Sequence, residues 1–281
     1  MGRLCLLTLL AACKPSGLVE MMPDDETEDP CDPANPQLGD IEFSGLTAED
    51  DMVDFCATYN GILGDLTIEG DKITNVEPLS CLCSVGGSVE IVNTLLVNLK
   101  GLATLTEIDG SLTITDNPLE SAQLQELTAI GDDIVIDNNL SLVEVELPAL
   151  AAVGGNFSVT HAGLDLDGFS SLQTIGGNLD ITGPSGELEV LDSIGGTLTF
   201  DNTELSFVGS FDSLASVGVD LLINENTALA NVDGLMGLEA IGHNLQITDN
   251  ESLSMSDAAA LRDAIGTANI GGSVMISGNA P

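Results

Sequence analysis

The sequence predicts a mainly β protein: a parallel β-solenoid of about ten coils of 22–24 residues, with short capping helices at both ends. Three observations carry this expectation. A strand motif containing glycine recurs at a nearly constant interval, its apolar residues lie two apart, and a second apolar pattern of period three runs upstream of the copies.

The motif reads aliphatic-Gly-x-x-aliphatic-x-aliphatic. Its copies centre on Leu66, Val89, Leu112, Ile134, Phe157, Leu179, Leu198, Leu221, Leu245 and Val274. Successive separations of 23, 23, 22, 23, 22, 19, 23, 24 and 29 residues are close to one leucine-rich-repeat-like coil. Within each copy the two apolar side chains share one face of a short strand, and the residues between them take the other. Strands of successive coils then stack into a parallel sheet. Upstream, Leu99, Leu102, Leu105 and Ile108, or Phe211, Leu214 and Val217, recur every third residue and suit a tighter wall across the core. Pairs such as Gly154-Gly155, Gly176-Gly177 and Gly195-Gly196 are expected at corners, which need positive φ or close approach to the neighbouring coil. Each pair precedes a strand rather than a helix, which excludes a dinucleotide fingerprint. Five residues beyond the strand anchor, Asn recurs at Asn117, Asn139, Asn226, Asn250 and Asn279. Its amide is expected to bond the backbone of adjacent coils as an internal ladder.

A solenoid must close its ends against aggregation. Thr47 followed by Asp50 reads as a helix start, with Met52, Val53 and Phe55 as the apolar face. Ser256 or Asp257 caps a second helix through Leu261 and Ile265, stopped by Gly266, and this insert accounts for the 29-residue interval.

Ahead of the repeats, Met1, Gly2 and Arg3 precede an apolar run, Leu4 to Leu10, that is too short to span a bilayer and reads as a signal peptide over residues 1–12. Leu10-Ala11-Ala12-Cys13 resembles the bacterial lipobox, which makes Cys13 the lipidation site and the membrane a partner through an N-terminal lipid. Residues 13–46 are rich in Pro and acidic side chains, the composition of an extended, disordered tether. The folded domain is expected over 47–281. Export permits disulfides, and Cys31, Cys56, Cys81 and Cys83 are the candidates, with three possible pairings. Cys81-Leu82-Cys83 also has the look of a metal site, but His161 and His243 are both distant in sequence.

Cys56, GDLTI at 64–68, the CLCSVGGSVEI segment and repeated Leu-x-x-Ile-Gly-Gly-x-Leu-x-Ile units resemble the receptor L-domain. That module forms the ligand-binding lobes of the insulin and epidermal growth factor receptors, and similar repeats occur in fungal cell-wall proteins and bacterial surface lipoproteins. The resemblance spans about residues 47–281. It implies a right-handed parallel β-solenoid with short end helices, disulfides near the N-terminus, and binding through a side face. The chain lacks the receptors' cysteine-rich module, transmembrane helix and kinase domain, so their hormone binding does not transfer.

The 45 Asp and Glu face five basic residues, for a net charge of −40, which excludes a nucleic-acid partner held through phosphates. Catalysis has few parts to draw on. Asp116, Asp132, Asp133, Asp137, Asp165, Asp167 and Asp201 offer carboxylate pairs for a polysaccharide-active β-helix. Basic residues for an anionic sugar are nearly absent, as are aromatic platforms for a neutral one. There is no Gly-x-Ser-x-Gly elbow and no histidine cluster. Calcium is the one cofactor with any basis, at Asp132, Asp133 and Asp137, whose spacing matches neither an EF-hand nor the nonapeptide calcium repeat. Thr113, Thr115, Ser158, Thr160, Thr197 and Thr199 make an outward polar face able to meet a protein or glycan. The expected function is therefore non-enzymatic: a cell-envelope lipoprotein, at the outer membrane or cell surface, displaying a solenoid for adhesion or recognition. Its rivals are a polysaccharide-active β-helix enzyme and a spacer without a specific ligand.

Overall fold

A computed structural model describes residues 31, 34–160, 166–182, 188–201, 205–209 and 211–281. The expected signal peptide, Cys13 and most of the tether lie outside the described residues. The fold is a parallel β-solenoid. Each coil sends a two-residue strand into one sheet, makes a tight corner, and sends a four-residue strand into a second sheet. The first sheet has ten strands and the second eleven, both in coil order and parallel throughout. A third wall closes the core with 3-10 turns at Glu77–Leu79, Lys100–Leu102, Asp167–Phe169 and Asp233–Leu235, and with the paired strands Ser121–Gln123 and Glu144–Glu146.

There is one coil more than the repeat count predicts. Ile41–Ser44 pairs in register with Leu66–Glu69, and Pro36–Gln37 with Gly61–Ile62. Residues 36–46, expected in the tether, thus open the solenoid, because Ile41 and Phe43 carry the same inward spacing as the later copies. Eleven strands at about 4.8 Å spacing make the long sheet about 50 Å from end to end.

Alternation sets the core. The first and third residues of the long-sheet strands, from Leu66 and Ile68 to Leu245 and Ile247, are buried, as is the period-three series Leu99, Leu102, Leu105 and Ile108. Two coils are filled by aromatic pairs across the core, Phe157 with Phe169 at 4.9 Å and Phe200 with Phe211 at 5.8 Å between ring centroids.

The end helices form with small departures from expectation. Helix α1 (Ala48–Cys56) buries Ala48, Met52 and Phe55, whereas Val53 points to solvent. Residue 52 lies one helical turn from 48 and residue 55 two turns, on the same side, whereas 53 falls away from that face. Thr47 bonds Asp51 rather than Asp50. In α2 (Met255–Ile265) the cap is Ser254, two residues ahead of the expected Ser256, and its hydroxyl accepts the Asp257 N–H at 3.0 Å. Gly266 ends it at φ 82°.

The cysteine pairing is Cys31 with Cys83 and Cys56 with Cys81, each with Cα atoms 5.6 Å apart. Both bridges tie the chain before coil two to the approach of coil three.

Two side-chain ladders run between coils at the corners. After the long strand, Asn117, Asn139, Asn226 and Asn250 are buried as the repeat predicts. The Asn139 carbonyl accepts the Asn117 N–H at 3.1 Å, and the Asn139 amide donates to Ile114 O at 2.8 Å. Asn250 does the same for Asn226 N–H and Ile223 O, and Asn279 for Asn250 N–H and Ile247 O. Thr94 heads the series, its N–H donating to Asn117 Oδ1 at 3.0 Å. The residue before each Asn takes the left-handed conformation: Asp116, Asn138, Glu225 and Asp249 have φ between 57° and 59° or, for Asn138, 52°.

The second ladder stands just before the long strand, where every coil carries a short acceptor. Asp40 accepts from Asp65 N–H, Asp65 from Ser88, Ser88 from Ser111, Ser111 from Asp133, Asp133 from Asn156, Asn156 from Asn178, and Asn178 from Thr197, at 2.6–3.2 Å. It resumes from Asp220 to Asn244 and from Asn244 to Ser273. The glycine pairs sit beside this ladder with ordinary φ. They are there for close approach: a Cβ on Gly154 would collide with Gly131 O, and one on Gly176 with Gly154 O.

Replacing Asn250 by Ala removes partners from the Asn226 N–H and the Ile223 carbonyl, both buried, so unfolding free energy should fall by at least about 2 kcal/mol. Denaturant titration reads it. Gln246→Ala, on the outer face, should cost less than about 0.5 kcal/mol in the same titration.

Candidate functional site

The outer face of the eleven-stranded sheet is the broadest regular surface of the fold. Because the strands are parallel and in register, the second and fourth residues of each form two straight rows. One row reads Glu42, Thr67, Glu90, Thr113, Val135, Ser158, Asp180, Thr199, Leu222, Gln246, Met275. The other reads Ser44, Glu69, Val92, Thr115, Asp137, Thr160, Thr182, Asp201, Asn224, Thr248, Ser277. Neither row holds a Lys, an Arg or an aromatic ring. Six carboxylates are spread over it, and in neither row do acids occupy adjacent coils. Thr248 is nearly covered, its hydroxyl donating to Asn224 Oδ1 at 2.8 Å.

Of the hydroxyl residues expected on an outward face, Thr113, Thr115, Ser158, Thr160 and Thr199 stand on these rows. Thr197 does not. It lies in the pre-strand corner, where its N–H donates to Asn178 Oδ1 at 2.8 Å. The aliphatic members, Val92, Val135 and Leu222, were not anticipated, although a third apolar residue in VEIV, IVID and LLIN breaks the simple alternation and marks them.

The calcium candidates do not converge. Asp132 and Asp133 precede the strand Ile134–Asp137 and Asp137 ends it, about 13 Å further along at the rise of a strand. Asp133 Oδ1 already accepts from the Asn156 backbone at 2.6 Å and from its side-chain amide at 3.0 Å, while Asp137 accepts from the Thr160 hydroxyl. Among the described residues no group of three or more His, Cys, Asp and Glu side chains is placed to hold a metal ion. Cys81 and Cys83 are in disulfides, and His243 stands at a corner with its N–H on Val219 O at 2.7 Å. His161 lies outside the described residues.

The carboxylates weighed for sugar hydrolysis are dispersed. Asp116 accepts from Asn138 at one corner, Asp133 belongs to the other corner's ladder, and Asp137 and Asp201 end long-sheet strands. Asp167 stands on the third wall, where it lines a groove of about 480 Å3 with Val143, Glu144, Val145, Glu146 and Gly168. The groove's Glu146 holds the amides of Gln123 and Gln125 at 3.2 and 2.8 Å. Asp165 lies outside the described residues.

Residues 60–151 match the family model described as Receptor L domain. The chain is receptor L-domain-like. A cell surface GPI-anchored protein of Arthroderma benhamiae is 32% identical over 107 residues, which are 37% of this chain and 27% of that protein. The chain therefore aligns with about a quarter of its relative's length. No solved structure gave a significant match. The likeness is to a receptor module, and the matched relative is described as a cell surface protein.

Asp133 serves the pre-strand ladder, and substitution distinguishes that role from metal binding. Asp133→Asn keeps the accepting oxygen, as Asn156 and Asn178 do at the same corner, and should leave stability unchanged with or without calcium. Asp133→Ala should cost about 1 kcal/mol in denaturant titrations. Calcium-dependent stability in the parent chain, lost in Asp133→Asn, would identify a metal site instead.

Proposed function

We propose that this chain is a non-catalytic recognition module held at the cell surface by a lipid on Cys13, and that it reads a protein ligand through the outer face of its long sheet. The observation that carries the reading is the composition of that face: two straight rows of hydroxyl, carboxylate and aliphatic side chains with no cation and no aromatic ring. Glycan recognition leans on aromatic platforms, which are missing. A field of one sign favours a protein presenting basic side chains, whose encounter it would accelerate. Support for a surface location comes from the two disulfides, which form in oxidising compartments, and from the cell surface relative.

Such a ligand should be retained saturably on the full chain and released by salt, since exposed charge pairs are screened within about 10 Å at 0.1 M. Thr113→Arg and Ser158→Arg, at the middle of the face, should weaken binding at least about tenfold through like-charge contact. Glu107→Arg, on the ten-stranded sheet, should leave it unchanged. Surface plasmon resonance against basic surface proteins from the same cells distinguishes these outcomes. Equal effects of all three variants would indicate nonspecific charge, and shortening of an added polysaccharide would indicate an enzyme. Cys13→Ser should shift the protein from the membrane fraction to the soluble one on cell fractionation.

A further inference from the structure

The two ends of the solenoid are built differently. At the first coil the long-sheet strand carries Glu42, and its Phe43 packs edge-on against Phe55 of α1 at 6.0 Å. The short-sheet strand there begins with Pro36, and α1 presents Glu49, Asp50 and Asp51. Proline, charge and a covering helix are the devices that keep an edge strand from pairing.

Val274–Ser277, the strand of the last coil, carries neither proline nor charge, and helix α2, which lies beside it, leaves it partly open. Residues 264–281 contain no charged side chain, in a chain of net charge −40. Val274 occupies the position at which Leu221 and Leu245 are fully buried, yet it is 39% exposed, and its neighbour Met275 is 54% exposed. Helix α2 buries Ala258, Leu261 and Ile265, and the apolar exposure of this end falls on Val274 and Met275 of the strand and on Met255 at the start of the helix. Leu221 N–H donates to Asn244 O at 2.9 Å and Leu245 N–H to Ser273 O at 3.0 Å, each bond reaching forward to the next coil. Ser273 O and Ser277 O face back to coil ten. By the alternation of a parallel ladder, the amides of Val274 and Ile276 face away from it, where the described residues place no further strand.

We propose that this edge pairs with the same edge of a second copy, joining two solenoids end to end about a two-fold axis. In the antiparallel pairing that the axis requires, Met275 stands opposite Met275 of the second copy. Val274 stands opposite Ile276 and exchanges two backbone hydrogen bonds with it. The inward side chains of both strands then extend one core across the junction. The alternative, head-to-tail stacking, would set the neutral last coil against the acidic, helix-covered first coil, so association stops at two. A second copy brings forty further negative charges, and the last coil is a place where two such chains can touch without opposing carboxylates.

Sedimentation equilibrium of the full chain, with hydrogen exchange at the Val274 and Ile276 amides, tests this. A dimer is expected that tightens with salt, with slower exchange at both amides as concentration rises. Met275→Glu should raise Kd at least about tenfold by placing like charges across the axis. Its side chain is on the outer face, so the melting temperature of the monomer should hold. A chain that stays monomeric at millimolar concentration overturns the proposal, as does a dimer indifferent to Met275→Glu, which uses another face. Slow exchange at both amides in the monomer also overturns it, because the chain itself then covers the edge.

Discussion

Parallel stacking at a single repeat distance governs the rest of this molecule. Each residue has the same position of the next coil about 4.8 Å away, so any group that cannot sit on its own equivalent is excluded from that position. At strand positions the backbone satisfies itself. At corners it turns out of the ladder, and side chains must supply the missing partners. Asn serves one corner because its amide both donates to and accepts from the backbone of the preceding coil, as Asn139 does to Ile114 O and from Asn117 N–H. Asp, Ser and Asn serve the other, which needs only an acceptor. Glycine flanks that second corner because the preceding coil's carbonyl occupies the space of a Cβ.

The same constraint shapes the charge. Two carboxylates at one strand position in adjacent coils would stand about 5 Å apart and repel. The outer rows avoid this: Glu42, Glu90 and Asp180 in one, and Glu69, Asp137 and Asp201 in the other, each have neutral neighbours in adjacent coils. Where acids do follow one another, as Asp40 and Asp65, each accepts a backbone N–H. The six carboxylates of the outer face thus stand dispersed among neutral side chains rather than as a cluster. That dispersion is also why the carboxylates weighed for catalysis or calcium do not meet: Asp133 and Asp137 serve opposite ends of one strand.

Much of the fold was legible because a solenoid repeats its physics. Spacing alone located ten of the eleven long-sheet strands and the buried Asn column. The first coil escaped because Gly39-Asp40-Ile41-Glu42-Phe43 sits within an acidic, Pro-rich stretch, although it follows the pattern of Gly64-Asp65-Leu66-Thr67-Ile68. The pre-strand ladder escaped because its common property is a short accepting oxygen, and Asp40, Ser88 and Asn156 do not look alike as letters. The face was read only in part. Hydroxyls on a strand announce an outward position, whereas Val92, Val135 and Leu222 read as core until register places them outside.

A stack in which each coil touches only its neighbours is weakest at its ends, since a terminal coil has one interface instead of two. The N-terminal end is where a chain arriving from a membrane anchor would deliver any pull on the domain. There the two disulfides close loops of 52 and 25 residues across the opening coils, and constraining loops of that size is worth about 3–4 kcal/mol each in the chain-entropy account. Coils one to three consequently cannot peel away one at a time. The outer face of the long sheet begins on those coils and keeps its register from Glu42 onward because they cannot fray.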